Sequence, residues 1–485
     1  MKKFLIAAVA WHASVACGQT LSAEVKAYVK VDAPVVALAH VRVIDGTGAA
    51  PREDQTIVLS QGKITSIADA STASVPKDAQ MLDLKGYSVI PGLVGMHEHM
   101  FYPAGGAIFH EMGFSFPRLY LAGGVTTART AGSIEPYMDL ALKREIDGGE
   151  IPGPRLHVTG PYLEGPGSWA PQMTYLKTPE EAAATVNFWA DRGVDNFKAY
   201  NFLSRAMLKA AIDAAHKRGL KVTGHLCSIG FREAAELGID DLEHGITVDT
   251  EFFPGKKPDQ CPSDSFAAMV EVTANLDSMQ VSDPRIQQMI QDLVAHHVAV
   301  TSTLPVFELE VPDKAPVQAR VLRAMAERAR NDYLETRVEF DLPSRDPKSG
   351  EVRPQPWGRM FELEKEFERA FVKAGGLLLA GEDPTGIGGD LAGFGDQREV
   401  ELLVEAGFTP LEAVHIATYN GAQYLGELDR IGTIAAGKQA DLVVIKGDPS
   451  KKIEDIENTE IVFKNGVGYD SAKLIDSVQG LVGIR

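Results

Sequence analysis

The chain carries an apolar run, Pro91-Gly92-Leu93-Val94-Gly95-Met96, that leads directly into His97-Glu98-His99. In a strand, residues i and i+2 face the same side, so the two imidazoles point together. Two neutral imidazoles held a few ångströms apart make a ligand pair for a divalent metal. A His pair alone is also often an ordinary surface or core feature. Four further polar residues follow apolar stretches in the same way. Lys198 lies in Asn196-Phe197-Lys198-Ala199-Tyr200, and His225 follows Val222-Thr223-Gly224. His244 follows Leu242-Glu243, and Asp383 follows Ala380-Gly381-Glu382. One such residue at a strand end is easily accidental. Six in this order are not.

The elements that must position these side chains read as alternating strands and helices. Candidate strands are Val89–Met96, Val125–Arg129, Arg155–Thr159, Asn196–Tyr200, Lys221–His225, Asp240–Glu243, Val298–Thr303 and Leu377–Ala380. Eight is the number a closed parallel (β/α)8 TIM barrel needs, and catalysis on that fold sits at the C-terminal ends of the strands. Helices are expected between them. Ser204 to Arg218 has Met207, Ala211, Ile212 and Ala215 at helical spacing and ends at Gly219, and Phe231 to Leu237 ends at Gly238. Residues 307–373 are rich in Arg, Glu and Lys and read as a helical insertion between strands seven and eight, either over the mouth or as a solvated arm. Both chain ends are β-rich. Val36–Ile44, Thr56–Leu59 and Lys63–Ile67 (around the turn Gln61-Gly62) and Gly432–Ile434, Ala440–Ile445 and Ile461–Lys464 suggest one small β-sandwich. The resulting division is a leader at 1–23, a β-sandwich from 35–90 plus 431–470, and a TIM-barrel domain at 91–430.

With those residues placed, the sequence resembles the amidohydrolase superfamily, close to its imidazolonepropionase-like and dipeptidase-like members. The resemblance extends over nearly the whole chain after the leader. It includes Pro91-Gly92-Leu93 entering the barrel and Gly432-Thr433-Ile434 through Gly437-Lys438-Gln439-Ala440-Asp441-Leu442 leaving it. It implies two divalent metal ions, with zinc suited to imidazole and carboxylate donors and manganese or cobalt as alternatives. His97, His99 and Asp383 would hold one ion and His225 and His244 the other. Lys198 would be carboxylated and bridge both. The implied reaction is hydrolysis of an amide-type C–N bond by a hydroxide bridging the metals, with Asp383 shuttling the proton. The alternative for Lys198 is an ion pair with Asp383, which leaves a one-metal site.

One departure bears on substrate. Dipeptidase-like relatives often carry Gly-Gly-His after strand three. Here the stretch is Gly165-Pro166-Gly167-Ser168-Trp169. The missing histidine tilts the expectation toward a small-molecule, non-peptide amide or lactam. A dipeptidase or carboxypeptidase acting on small peptides is the alternative. A one-metal deaminase and a non-catalytic metal-binding protein are further readings. Tyr200 shares a strand face with Lys198 and is a candidate substrate contact, or a packed tyrosine. Glu382 sits where Thr often precedes the aspartate. His157, inside a strand, reads as a core residue, and His216, His296 and His297 as surface residues.

Composition sets the remaining bounds. The 485 residues are 45% hydrophobic and 24% charged, with net charge −18, and that acidity disfavours nucleic acid as a partner. Lys2-Lys3 followed by the apolar run Phe4–Ala16 reads as an export signal, too short to span a bilayer. Cleavage after Ser14-Val15-Ala16 or Leu21-Ser22-Ala23 would release a periplasmic or secreted chain, and Cys17 offers an alternative lipid anchor. Cys227 and Cys261 are left as a candidate disulfide. Whether the chain is a monomer or a homo-oligomer stays open.

Overall fold

The computed structural model describes residues 20–105, 108–168, 170–173, 175–262, 276, 278–312, 314–342, 344–345, 352–353 and 357–484. Most of the expected leader, with Cys17, and Trp169 lie outside the described residues. Eight parallel strands run through the middle of the chain: β1 (Leu93–Glu98), β2 (Val125–Thr130), β3 (Arg155–His157), β4 (Asn196–Ala199), β5 (Lys221–Gly224), β6 (Asp241–Glu243), β7 (Ala299–Ser302) and β8 (Leu378–Ala380). They form two hydrogen-bonded sheets, β3-β2-β1 and β4-β5-β6-β7-β8. At one seam a parallel bridge joins Thr159 to Asn196. At the other, the Asp383 N–H donates to the His97 carbonyl at 3.0 Å. The fold is mixed α/β, with the strand ladder interrupted at both seams. Most strand residues are buried, as expected where helices cover a parallel sheet.

The helices follow from local sequence. Arg205–His216 begins where the Ser204 hydroxyl accepts the Met207 N–H, and it buries Met207, Leu208, Ala211, Ile212 and Ala215 on one face. Phe231–Leu237 ends at Gly238 in the left-handed conformation. Between β7 and β8 the chain forms Leu304–Glu308, Ala319–Ala324, Glu327–Asp341 and Trp357–Lys373. The last of these buries Met360, Leu363, Phe367 and Phe371 at helical spacing and packs on β8. It is therefore the helix that leads into β8, and the added material is confined to the stretch before it.

Both chain ends share one nine-stranded sheet, where the sequence suggests a sandwich. Val35–Val43, Arg52–Ser60 and Lys63–Asp69 pair antiparallel in sequence order, and Gln61 and Gly62 both take positive φ at the tight turn. Two expectations need correction. Val89–Met96 is not one strand. Tyr87–Pro91 pairs with Leu442–Lys446 in the terminal sheet, and β1 starts afresh at Leu93. Gly92 makes that switch because a Cβ there would lie 2.1 Å from Thr126 Oγ1. Gly432–Ile434 is not a strand; its Ile434 N–H donates to the Asp45 carbonyl from a bend.

His157 on β3 bridges Asp195 Oδ2 at 3.2 Å and Glu427 Oε1 at 3.5 Å. Burial alone would lower its pKa, but the two carboxylates outweigh burial and hold it up at about 9. Its folded value lies above the unfolded value of about 6.5, so this stabilisation is complete below that pH and is lost as pH rises through about 9. His157→Gln is expected to cost about 1–2 kcal/mol in urea unfolding near pH 6, with the deficit shrinking toward pH 10. A deficit that does not change with pH would contradict this ion-pair role.

Candidate metal centre

The C-terminal ends of β1, β4, β5, β6 and β8 bring the six residues into one cluster. His97 Nε2 lies 3.4 Å from Asp383 Oδ2 and 3.2 Å from Lys198 Nζ. His99 Nε2 lies 3.4 Å from Asp383 Oδ1, and His244 Nε2 lies 3.7 Å from Asp383 Oδ2. His225 joins from β5, its ring centroid 4.6 Å from that of His244. His97, His244 and Asp383 each present a ligand atom within 4.8 Å of the others.

The imidazoles are fixed from behind. His97 Nδ1 is 2.6 Å from Glu243 Oε2, His99 Nδ1 is 3.2 Å from the Gly132 carbonyl, and His244 Nδ1 is 2.7 Å from Thr303 Oγ1. Nδ1–H donation to Glu243 and to Gly132 leaves the Nε2 lone pairs of His97 and His99 facing the cluster, which is how metal-binding histidines are oriented. His225 Nε2 and His244 Nε2 are buried without a hydrogen-bond partner. Orphaned imidazole nitrogens, one of them 3.7 Å from Asp383 Oδ2, are the donor set a divalent cation would satisfy, so the residues present fit metal.

Electrostatics favours the same state. Burial, with the nearby Lys198 as a further cause, drives His97 and His99 well below the usual histidine range and His225 down to about 3. Burial also lowers His244, with the neighbouring histidines adding. All four are therefore neutral and available as ligands. Burial lowers Lys198, against opposition from Glu243 and Asp383, and raises Asp383 to about 6, against opposition from Lys198. His244 and Asp383 both adopt positive φ, 68° and 59°. Two non-glycine residues held in the left-handed region at adjoining positions mark a place where side-chain direction outweighs backbone comfort.

Tyr200 sits beside the cluster, its ring centroid 4.9 Å from those of His225 and Tyr162. Phe101 stacks on His99 at 4.3 Å, and Phe307, just after β7, meets His244 edge-on at 5.7 Å. Cys227 is disulfide-bonded to Cys261, with Cα atoms 4.8 Å apart. It ties the turn after His225 to the segment beyond β6.

The sequence reading missed the group that supports the cluster. Arg129 on β2 is fully buried and donates to Asp241 Oδ2 at 2.8 Å, Glu243 Oε1 at 2.9 Å and the Met96 carbonyl at 2.7 Å. Thr223 Oγ1 also donates to Glu243 Oε1, at 2.5 Å, and Thr301 Oγ1 to Asp241. The available signal was one basic and one acidic residue near the C-terminal ends of two candidate strands, Arg129 and Glu243. Removing one member leaves the others charged, buried and unpaired. Arg129→Met is expected to destabilise the fold by about 3–5 kcal/mol, measured by chemical denaturation. A change within about 0.5 kcal/mol would mean the network is not the brace described.

The sequence pattern described as the amidohydrolase family matches residues 88–253 and 379–467, just over half of the chain. A dihydroorotase of Syntrophus aciditrophicus is 39% identical over 83 residues, 17% of this chain and 19% of the relative. A dihydroorotase of Anaeromyxobacter dehalogenans is 31% identical over 105 residues, 22% of this chain and 23% of the relative. The chain thus spans about a fifth of the length of these curated relatives. A solved Xaa-Pro dipeptidase with bound methionine in its active site aligns with TM-score 0.65 and 20% identity, covering 90% of this chain and 100% of that one. A bottromycin amidohydrolase aligns with TM-score 0.68 and 20% identity, covering 92% and 91%. At such identities these likenesses establish the fold.

Proposed function

We propose, from the premise that the chain belongs to the amidohydrolase family and is a hydrolase of carbon–nitrogen bonds, that it cleaves an amide-type, non-peptide bond of a small molecule at a two-metal centre. On this reading the eight parallel strands act as a TIM barrel with the centre at its mouth, and the nine-stranded terminal sheet is a separate supporting domain. The observation that carries the reading is the convergence of four neutral imidazoles, Asp383 and a buried lysine on one point.

His97, His99 and Asp383 would hold one ion and His225 and His244 the other, with zinc the ion best suited to these donors. Lys198 is 1% exposed and lowered in pKa by burial. The neutral amine this favours is nucleophilic, which suits carboxylation by CO₂ with release of one proton, and the carbamate would offer the two ions one negative charge shared over two oxygens. Divalent cations held here would supply Lewis acidity toward a carbonyl and activation of water near neutral pH. The protein's own part is to orient and to move protons. Asp383, raised to about 6, takes up the proton released when water adds to the carbonyl carbon and returns it to the leaving nitrogen. On this reading Tyr200, whose ring centroid lies 4.9 Å from that of His225, donates to the substrate carbonyl.

The substrate preference rests on the walls. Phe101, Tyr162, Ala170 and Met173, with Phe109 and Tyr200, form an apolar cluster on one side of the centre. The stretch Gly165 to Trp169 carries no histidine where dipeptidase-like relatives often present one, and the Glu164 side chain just before it is buried, its Oε1 accepting the Gly165 and Phe202 N–H groups. Apolar walls without that histidine favour a neutral apolar amide over a free α-carboxylate. Hydrolysis of small dipeptides is the second reading, favoured by the likeness to the Xaa-Pro dipeptidase.

Export is part of the proposal. The Cys227–Cys261 disulfide suits an oxidising compartment. Ser22 caps the helix Ala23–Lys26 and Leu21 is buried, which favours cleavage at Ser14-Val15-Ala16 over the site after Ala23. Among the described residues, no helix is long and apolar enough to cross a membrane.

The test uses the full chain loaded with zinc and bicarbonate, screened on lactams, N-acyl amino acids and dipeptides. Lactam or N-acyl turnover is expected to dominate, and Lys198→Ala to lose activity by more than about a hundredfold together with bound metal. Tyr200→Phe is expected to lower kcat/KM about tenfold. Dominant dipeptide turnover would transfer the assignment to the second reading, and full activity in Lys198→Ala would overturn the two-metal centre.

A further inference from the structure

A second group of acids lies behind the imidazole cluster. Glu98 alternates with His97 and His99 along β1, so it faces the other side of the strand. Glu382 precedes Asp383 after β8, and Asp396 sits in the first turn of the helix Phe394–Glu405. One oxygen from each of these three buried residues lies within 4.8 Å of the others. Asp390 stands at the edge of the group. A Cβ at Gly395 would lie 2.0 Å from Asp390 Oδ1 and 2.4 Å from Glu382 Oε2, so glycine there leaves the space these carboxylates occupy.

Three observations beyond the clustering point to a ligand. Glu98 is 0% exposed, and neither of its oxygens has a hydrogen-bond partner. Glu382 Oε1 and Asp390 Oδ2 are equally without partners, whereas Glu382 Oε2 accepts the Asp396 N–H and Asp396 Oδ2 the Gly393 N–H. Among the described residues no Lys, Arg or His pairs with any of the four acids. Arg398, on the same helix as Asp396, is taken by Glu308, Glu401 and Glu405. A cavity of about 10 Å³, room for one water-sized body, touches the group at Asp396 and is otherwise lined by Gly95, Gly381 and Glu399 among others. Buried carboxylates with oxygens left unpaired and no counter-charge are strongly unfavourable, and a cation relieves them all at once.

We propose that Glu98, Glu382 and Asp396, with Asp390 alongside, bind one hard divalent cation, calcium or manganese, at a site separate from the imidazole cluster. Oxygen-only donors select hard cations, whereas imidazoles draw zinc. The ion joins β1, the turn after β8 and the following helix from their outer side. It thereby fixes the strand ends whose inner side carries His97, His99 and Asp383. The proposal does not depend on which substrate the enzyme cleaves.

The test is calcium binding by the full chain after removal of metal with chelator, by equilibrium dialysis and by thermal unfolding with calcium alone, then with manganese alone. The expected result is one ion per chain and a raised Tm, both kept in His225→Ala/His244→Ala. Binding at least tenfold weaker is expected in Glu98→Gln/Asp396→Asn and, should that pair fail to fold, in Glu98→Gln alone. The proposal is overturned if the wild type retains neither ion. It is equally overturned if Glu98→Gln binds as tightly as wild type (the acids then share protons among themselves), or if the ion is lost from the imidazole variant and kept by the acid variant.

Discussion

The buried guanidinium of Arg129 is the constraint on which the rest of the structure depends. It reaches from β2 to the Met96 carbonyl on β1 and to two carboxylates on β6, which Thr223 on β5 and Thr301 on β7 also hold. Five of the eight parallel strands are thus tied through the interior, across a ladder that is interrupted at its seams. A charge so deeply placed is tolerable only when every donor is used. That requirement fixes Glu243, and Glu243 in turn fixes the ring of His97. The same chain of contacts that stabilises the strands therefore aims the first imidazole.

The six residues of the centre were legible because period-two alternation and apolar runs are local properties. His97 and His99 share a face for the same reason that Glu98 leaves it. What lay hidden was non-local. Nothing near Arg129 in sequence announces that Glu243, 114 positions away, is its partner. Glu98 reads as a spacer until Glu382 and Asp396 are seen to meet it. The missed break between Tyr87–Pro91 and β1 has a similar cause. The run is uniformly apolar, and only the close approach of Thr126 shows why Gly92 must turn it from one sheet to another. The terminal strands were found from turn chemistry, but their order in one nine-stranded sheet depends on pairings such as Leu442 with Pro91 that no local pattern encodes.

The chain divides its acids and bases by the two sides of the same strand ends. On one side, burial keeps four imidazoles neutral, and three of them, His97, His99 and His244, turn Nε2 toward Asp383. On the other, carboxylates gather with no Lys, Arg or His paired to them among the described residues. Each side holds donors that water does not reach and protein does not satisfy. The segment between β7 and β8 adds a boundary on the first side. Phe307 meets His244, and Tyr333 packs where a Cβ on Gly389 would stand, 2.2 Å from its ring. Loops of this kind set specificity on such folds while the strand ends keep the chemistry.

Under the proposed function, Lys198 would join two metals as a carbamate. The direct measurement is anomalous diffraction at the zinc edge from crystals of the full chain grown with zinc and bicarbonate. Two anomalous peaks are expected inside the ring formed by His97, His99, His225, His244 and Asp383, with density extending from Lys198 Nζ between them. A single peak beside an unmodified lysine paired with Asp383 would contradict it.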